Sequence, residues 1–429
     1  MRSPRAALVR GIRLQPDSSI ITLVISAIIL LSGPLVSAQR GGRGTPPPAP
    51  DPIKPLVDRL DLESYKATIK GLTQFGDRRQ GTDRNRAAVA WIEAQLNSYG
   101  CANVERLKYE YKTPPPTNPA RGTPPPAGTG PNGNVLEPLA VASGGGRPRG
   151  IRTRTGVNTD PNRQPDAKLR ALNTQPAADG PREEVYCTKV GTAHPEEMYI
   201  VAAHMDGHGW GEAANDDGSG TAIVMELARI FSAPEVQSDR SIRFALWNNE
   251  ETGLNGSAAY AVQRKPLQGR EDPPGSRRYP EPKWLGMIQH DMMLFDHGMP
   301  LPDGSMSKEQ RREADVNVEF QVSSKMAAQA QALAWALQQA NEKYATDYPA
   351  AVGSHMTNTD SSSFMDDVAA ISVRENERGT QIGNGWDPQW HQPTDVFATY
   401  NDKDFRLGLN AAQTTLGAVA QLAGARIKN

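Results

Sequence analysis

From about residue 198 onward, short apolar segments alternate with segments whose apolar residues recur at helical spacing. The apolar segments have the length of buried strands and cover residues 199–203, 242–247, 286–290 and 369–373. Strands that alternate with helices form a parallel-rich sheet with helices on both faces. We therefore predict an α/β protein, a three-layer sandwich in which helices cover both faces of a central mixed, mostly parallel sheet.

Capping residues predict where two of the helices begin and end. Asn401 or Asp402 can cap a final helix that runs to about Ala423, and Gly424 is expected to end it. Asp217 is expected to cap the helix that follows it, because a negative charge at a helix N-terminus is favourable.

The N-terminus has the three parts of an export signal. Four arginines precede an apolar segment over residues 20–31, and Val36-Ser37-Ala38 follows as a small-residue cleavage site. As a membrane anchor the apolar segment would be too short to span comfortably, and Gly33-Pro34 breaks it. We predict a signal peptide over 1–38, cleaved after Ala38, and a secreted or periplasmic mature chain with no stable membrane anchor.

Proline concentrates in two stretches of the chain. Twenty of the 35 prolines fall within residues 39–55 and 113–181, so the remainder has the composition of an ordinary globular protein. We predict a Pro/Gly-rich linker over 39–55 and one domain over 56–425, interrupted by a largely irregular Pro/Gly/Arg-rich insertion over 113–181. The formal net charge of −1 gives no electrostatic reason to expect nucleic acid as a partner.

The chain has two cysteines, Cys101 and Cys187. In an exported protein two cysteines can form one disulfide. Each lies in or beside a strand-like segment, so a bridge forms if those two strands pair. Two buried thiols explain the sequence equally well.

Polar side chains follow three of the predicted strands at the point where each strand ends. These residues are His204-Met205-Asp206, Asn248-Asn249-Glu250-Glu251 and His290-Asp291. Two further polar loops cover residues 215–220 and 390–395. The active sites of parallel sheets lie at the carboxyl ends of their strands. Carboxylates gathered there would repel one another without cations, and mixed imidazole and carboxylate ligands suit Zn²⁺ best, with Mn²⁺ or Co²⁺ as weaker candidates.

Five motifs in this order resemble those of the co-catalytic di-zinc aminopeptidases, metallopeptidase family 28 of the bacterial leucyl aminopeptidase type. The motifs are Ala203-His204-Met205-Asp206, Asn215-Asp216-Asp217-Gly218-Ser219-Gly220, Asn249-Glu250-Glu251-Thr252-Gly253-Leu254 with Asn255-Gly256-Ser257, His290-Asp291-Met292, and His391 with Asp395. The resemblance covers roughly residues 56–425 apart from the insertion. Any one motif is weak evidence, but five in order at strand ends are specific.

The resemblance implies two zinc ions per chain and one general base. The residues concerned are His204 and Asp291 for one zinc, Glu251 and His391 for the other, Asp216 as the bridge, and Glu250 as the base. In such a site a metal-bridged hydroxide attacks the scissile carbonyl, and the base carries its proton to the leaving amine. The implied substrates are peptides with a free N-terminus.

Other residues are assigned supporting roles. Asp206 is expected to accept the second imidazole N–H of His204, and Asp395 that of His391. Trp390 stands where the family often has a tyrosine that donates to the oxyanion, and it offers an indole N–H instead.

Two further side chains have alternative interpretations. Arg374 either stands in for the family's substrate-facing arginine or forms a structural ion pair. His208 either shapes the substrate pocket or is a solvated loop histidine. His290 is expected to pack or hydrogen-bond rather than bind metal.

Three other functions share this fold. A glutaminyl-cyclase-like acyltransferase has one zinc, and the complete ligand set argues against it. A carboxypeptidase would need a cationic group for the substrate's C-terminal carboxylate, and a non-catalytic receptor-like protein would be expected to lack ligands or the base. The motifs specify neither the preferred N-terminal residue nor the oligomeric state.

Overall fold

The computed structural model describes residues 50–114, 128–129, 135–137, 154–155, 157–296, 316–356, 359–375 and 387–428. The predicted signal peptide, the first part of the predicted linker and most of the predicted insertion lie outside these residues. No helix in the described part of the chain has both the length and the hydropathy of a membrane span.

The described strands are β1 (Glu105–Tyr111), β2 (Gly128–Thr129), β3 (Val135–Glu137), β4 (Arg154–Thr155), β5 (Gly180–Lys189), β6 (His194–His204), β7 (Val236–Gln237), β8 (Arg240–Trp247), β9 (Lys283–His290), β10 (Val316–Phe320), β11 (Ala350–Gly353), β12 (Ala370–Glu375) and β13 (Arg426–Ile427). The described helices are α1 (Lys54–Val57), α2 (Leu62–Thr73), α3 (Asp83–Ser98), α4 (Ala167–Asn173), α5 (Gly218–Ser232), α6 (Asn255–Arg264), α7 (Ala327–Tyr344) and α8 (Asp402–Ala423). Short 3₁₀ helices cover Pro161–Arg163, Lys265–Leu267, Asp360–Ser363 and Phe397–Thr399.

Eight strands form the central sheet, in the order β1-β5-β8-β6-β9-β12-β10-β11. The four central strands, β8, β6, β9 and β12, are mutually parallel, whereas β1, β5 and β10 pair antiparallel with their neighbours nearer the centre. The prediction of a mixed, mostly parallel sheet is confirmed. The four segments predicted as strands belong to these four central strands.

Side chains of β6 alternate between two hydrophobic cores, one on each face of the sheet. Val201 and Ala203 belong to the larger core, which includes side chains of α2, α5, α7 and α8. Ile200 and Ala202 belong to the smaller core, which includes Tyr260 of α6. Because successive strand residues point to opposite faces, a strand buried on both sides is apolar throughout. This explains the continuous apolar runs and confirms the three-layer arrangement.

The helix ends follow the predicted capping residues. Asp217 caps α5, its carboxylate accepting the N–H of Gly220 at 2.8 Å. Asn401 caps α8 in a reciprocal arrangement with Asp404, and the helix ends at Gly424 in the left-handed conformation. Both predictions are confirmed, because short polar side chains satisfy the free N–H groups of a first helical turn.

The last part of the predicted insertion is ordered rather than irregular. It contains the 3₁₀ helix 161–163, helix α4 and the first residues of β5. Asn158 donates its main-chain N–H to the carbonyl of His391 at 3.0 Å. This segment therefore belongs to the domain and reaches the loops at the carboxyl ends of the strands.

Cys101 and Cys187 form a disulfide. Strands β1 and β5 pair antiparallel, with Glu105 opposite Tyr186, so the two cysteines are brought together beside that ladder. Because the two strands pair, the cysteines form a disulfide and are not two separate buried thiols.

The double substitution Cys101→Ser with Cys187→Ser is expected to lower the free energy of unfolding by about 2–5 kcal/mol, because the bond closes a long loop in the unfolded chain. The sequence separation of the two cysteines is 86 residues. Urea unfolding measures the loss, and the chemically reduced wild type serves as the matched control. A loss below about 1 kcal/mol would contradict a stabilising bond.

Candidate metal centre

The register of the central sheet brings the predicted site residues to one edge. His204, the last residue of β6, pairs with Trp247, the last residue of β8. On the other side, Ala203 pairs with His290, the last residue of β9. The segments that follow these three strands carry Asp206, Glu250 and Glu251, and Asp291, so parallel pairing collects residues that lie far apart in sequence.

One group of possible ligands consists of His204, Asp216 and Asp291, all buried. The Nε2 atom of His204 lies 3.3 Å from Asp216 Oδ1 and 3.8 Å from Asp291 Oδ1. The Nδ1 atom of His204 lies 3.0 Å from the main-chain carbonyl of Asp206. Since a carbonyl oxygen only accepts, this contact places the proton on Nδ1 and leaves Nε2 available for a metal.

A second group consists of His208, Glu251 and His391. Glu251 Oε2 lies 2.9 Å from His391 Nε2 and 3.0 Å from His208 Nε2. His391 Nε2 also lies 2.9 Å from Asp216 Oδ2. Asp216 therefore presents one carboxylate oxygen to each group, which is the position that the sequence assigned to a bridging ligand.

Glu250, the predicted base, lies beside both groups and is half-buried. Its main-chain N–H donates to Asp206 Oδ1 at 3.0 Å. Burial raises the pKa of Glu250 well above its ordinary range, and the nearby carboxylates of Asp360, Glu251 and Asp291 raise it further, against the opposing effect of His204.

Asp206 does not contact His204 as predicted. Its carboxylate lies 3.9 Å from His204 Nδ1, and its main-chain carbonyl takes that role instead. The carboxylate instead accepts the main-chain N–H of Glu250 at 3.0 Å. Burial raises the pKa of the Asp206 carboxyl to about 6.

Asp395 also has a different set of partners. Its two oxygens accept the main-chain N–H groups of Asn215 and Asp216 at 2.8 and 3.1 Å, and Tyr400 donates to it at 3.0 Å. Among the described residues, the Nδ1 atom of His391 has no hydrogen-bond partner. Asp395 therefore orients Asp216, the predicted bridging residue, rather than His391.

Trp390 and Arg374, two of the three side chains assigned to substrate or oxyanion contacts, both touch candidate metal ligands. The indole of Trp390 stacks on the imidazole of His391, with ring centroids 3.8 Å apart. Arg374 is buried and donates from Nη1 to Asp291 Oδ2 at 3.2 Å. This contact is the structural ion pair, one of the two interpretations of Arg374. His290 hydrogen-bonds Ala202 and Thr415, as expected.

The donor atoms fit divalent cations. Burial opposes charge on Glu251, but His208 and His391 hold its pKa down at about 2. The pKa of His391 rises to about 9, because Glu251 and Asp216 outweigh the effect of burial. Within the described residues, Glu251 Oε1 and His208 Nε2 are buried with no hydrogen-bond partner. Buried acceptors without donors and imidazole nitrogens facing carboxylates are the donor set that Zn²⁺ prefers.

Arg78 supports the site and was not predicted from the sequence. Its buried guanidinium donates to the main-chain carbonyls of Met205, Glu212 and Ala213 at 2.7–2.8 Å, and to that of Gly76 at 3.2 Å. It therefore holds both ends of the loop between β6 and Asn215. No motif marks it, because its acceptors are main-chain atoms that any residue carries.

The last part of the insertion holds the two histidine loops together. Gln164 donates from Nε2 to the carbonyl of Trp210 at 2.7 Å and to that of Pro393 at 3.0 Å. Gly209 abuts the main chain of His391 so closely that a Cβ atom would lie 2.4 Å from its carbonyl carbon. The loops that carry His208 and His391 are thus joined directly and through Gln164.

The model of peptidase family M28 matches residues 184–413, which is more than half of the chain. The chain belongs to peptidase family M28. The predicted family is confirmed, and the matched residues include both ligand groups described above.

Among curated M28 relatives, aminopeptidase YwaD of Bacillus subtilis is 43% identical over 67 residues, which is 16% of this chain and 14% of that protein. Carboxypeptidase Q of Xenopus laevis is 35% identical over 71 residues, 17% of this chain and 15% of that protein. The matched segments thus span a small part of these relatives.

Solved structures share the fold along most of the chain. An aminopeptidase from Aneurinibacillus sp. strain AM-1 has a TM-score of 0.53 at 21% identity, covering 87% of this chain and 96% of that one. Glutaminyl cyclase of Porphyromonas gingivalis has a TM-score of 0.52 at 15% identity, covering 85% and 99%. At these identities the likeness concerns the M28 fold alone.

Replacing Arg78 by lysine is expected to lower the free energy of unfolding by about 1–3 kcal/mol, because one ammonium cannot reach carbonyls on both ends of the loop and leaves buried acceptors without donors. The matched control is Arg79→Lys at the exposed neighbouring position, which should cost less than about 0.5 kcal/mol. Urea unfolding compares the two variants. Equal losses would show that the contacts of Arg78 are not stabilising.

Proposed function

We propose that this M28 protein is a zinc-dependent aminopeptidase that removes N-terminal residues from peptides. The observation that carries the proposal is the position of Asp216, whose two oxygens face two separate groups of imidazole and carboxylate ligands. That arrangement is what a pair of metal ions bridged by one carboxylate requires. The export signal predicted from the sequence supports secretion or a periplasmic location.

His204, Asp216 and Asp291 would hold one zinc ion, and Glu251, His391 and Asp216 the other. When bound, the ions supply Lewis acidity toward the scissile carbonyl and neutralise the buried carboxylates. Arg374 already neutralises part of the charge of Asp291.

Glu250 would move the proton in the reaction. Its carboxyl group is positioned beside both ligand groups, where a carboxylate can accept a proton from the attacking water and return it to the leaving amine. The carboxylate of Asp206 accepts the main-chain N–H of Glu250. The backbone that carries the Glu250 side chain is therefore fixed.

Glu250→Gln is expected to lower kcat for an amino-acid arylamide by about 10²–10⁴-fold, because an amide does not accept the proton. Zinc content should stay at the wild-type value, since Glu250 belongs to neither ligand group. The control is Glu196→Gln, a surface position at the far end of β6, which should leave kcat unchanged. A Glu250→Gln enzyme within tenfold of wild type would rule out the proposed base.

A carboxypeptidase is the second candidate, and one observation favours it. A cavity of about 280 Å³ beside the second ligand group is lined by His208, Trp210 and the exposed Arg79. Arg79 is a cation of the kind that a C-terminal carboxylate needs. One of the relatives that match part of this chain is named carboxypeptidase Q.

Blocked peptides separate the two candidates. An aminopeptidase should cleave C-terminally amidated peptides that have a free N-terminus and leave N-acetylated peptides intact, and a carboxypeptidase should show the reverse preference. In the second case Arg79→Ala should raise KM at least about tenfold, as expected for loss of a charge-assisted contact. Cleavage of amidated peptides, with an unchanged KM in the Arg79→Ala variant, would rule out carboxypeptidase activity.

A glutaminyl-cyclase-like activity is less well supported. The fold is shared with such enzymes, but a single-zinc site does not account for the second group of ligands around Glu251 and His391.

A further inference from the structure

Two described histidines at this edge of the sheet, His208 and His290, have no role in the two-metal scheme. His290 is accounted for by its hydrogen bonds to Ala202 and Thr415, whereas His208 is not. It lies in the loop after β6, four residues beyond His204, and its side chain is 18% exposed. Its ring meets that of His391 edge to face, with centroids 4.0 Å apart and planes at 89°. The two imidazoles are therefore arranged around a common point rather than stacked on each other.

Both imidazoles direct Nε2 at one carboxylate oxygen. His208 Nε2 and His391 Nε2 lie 3.0 and 2.9 Å from Glu251 Oε2. Within the described part of the chain, His208 Nε2 has no hydrogen-bond partner despite that short separation. Ligand atoms about 2.0–2.2 Å from a tetrahedral zinc lie about 3.3–3.6 Å from one another. Both Nε2 atoms would therefore have to move away from the Glu251 oxygen by about 0.3–0.7 Å to share a metal ion with it.

The loop that carries His208 is fixed in this position. Asp77 accepts the main-chain N–H of Trp210 at 3.4 Å, and Asn173 donates to the carbonyl of Gly211 at 2.8 Å. Together with the contacts of Gln164, these bonds hold the loop from both sides. These bonds argue against the interpretation of His208 as a solvated loop histidine, which was one of the two that the sequence left open.

We infer that His208 is a fourth protein ligand of the metal ion held by Glu251, His391 and Asp216. The inference rests on the proposed two-metal function. It would make the two sites unequal, because four protein side chains would hold the ion at the Glu251 site and three would hold the ion at His204, Asp216 and Asp291. An additional protein ligand is expected to hold zinc more tightly, so the Glu251 site should be the tighter of the two.

The test is a zinc titration of the chelator-treated full chain against a competing indicator. The wild type should bind two zinc ions in two steps, with the tighter step at the Glu251 site. His208→Gln should weaken the tighter step at least about tenfold, in line with the loss of metal affinity on removing even an outer-shell partner. The weaker step should be unchanged.

Two control variants identify the sites. His194→Ala removes an exposed histidine at the far end of β6, whose imidazole lies 3.4 Å from Glu196, and both steps should match wild type. His204→Gln should weaken the other step and leave the step affected by His208→Gln unchanged. The metal-free unfolding temperature of each variant checks that it folds, and His208→Ala replaces His208→Gln if that variant does not.

Cobalt provides a readout independent of activity. With one Co²⁺ bound per wild-type chain, the visible bands should have the high intensity of a four-coordinate site, and His208→Gln should change their intensity and position. Two unchanged zinc steps and an unchanged cobalt spectrum in His208→Gln would overturn the role of His208 and leave the two-metal proposal standing. A wild type that binds no zinc would overturn both.

Discussion

The structure depends on how negative charge is buried at the carboxyl edge of its sheet. Asp216, Asp291 and Glu251 belong to the two ligand groups, and their side chains are largely out of water. Burying carboxylates without partners is costly, and removing one partner of such a group leaves an uncompensated charge. The side chains of His204 and His391 compensate part of this charge, and the short contacts show where bound cations would compensate the rest.

The second constraint is that the ligands are carried by loops. Parallel strands fix His204, but His208, Asp216 and His391 are held by main-chain hydrogen bonds from distant side chains. Arg78 ties the loop after β6, Asp395 orients the main chain at Asp216, and the end of the insertion joins the two histidine loops. Hydrogen bonds have directional geometry, so they can fix the position of a candidate ligand more precisely than apolar packing alone.

Local sequence patterns predicted the parts of the fold that depend on local physics. Apolar runs predicted β6, β8, β9 and β12, and Asp217 and Asn401 predicted helix ends. The supporting contacts of Asp206 and Asp395 were predicted wrongly, because proximity in sequence does not determine where a side chain points after the chain turns. Arg78 and Gln164 could not have been identified, since their partners are main-chain carbonyls without a sequence signature.

By itself, the sequence determined the family, the order of the elements and the types of residue at each strand end, because these depend on local periodicity and on motifs a few residues long. Only the tertiary structure decided which oxygen of Asp216 faces which group, the bond between Cys101 and Cys187, and the position of His208 against Glu251. These are distances between atoms far apart along the chain. They are set by strand register and loop packing, which involve many residues at once.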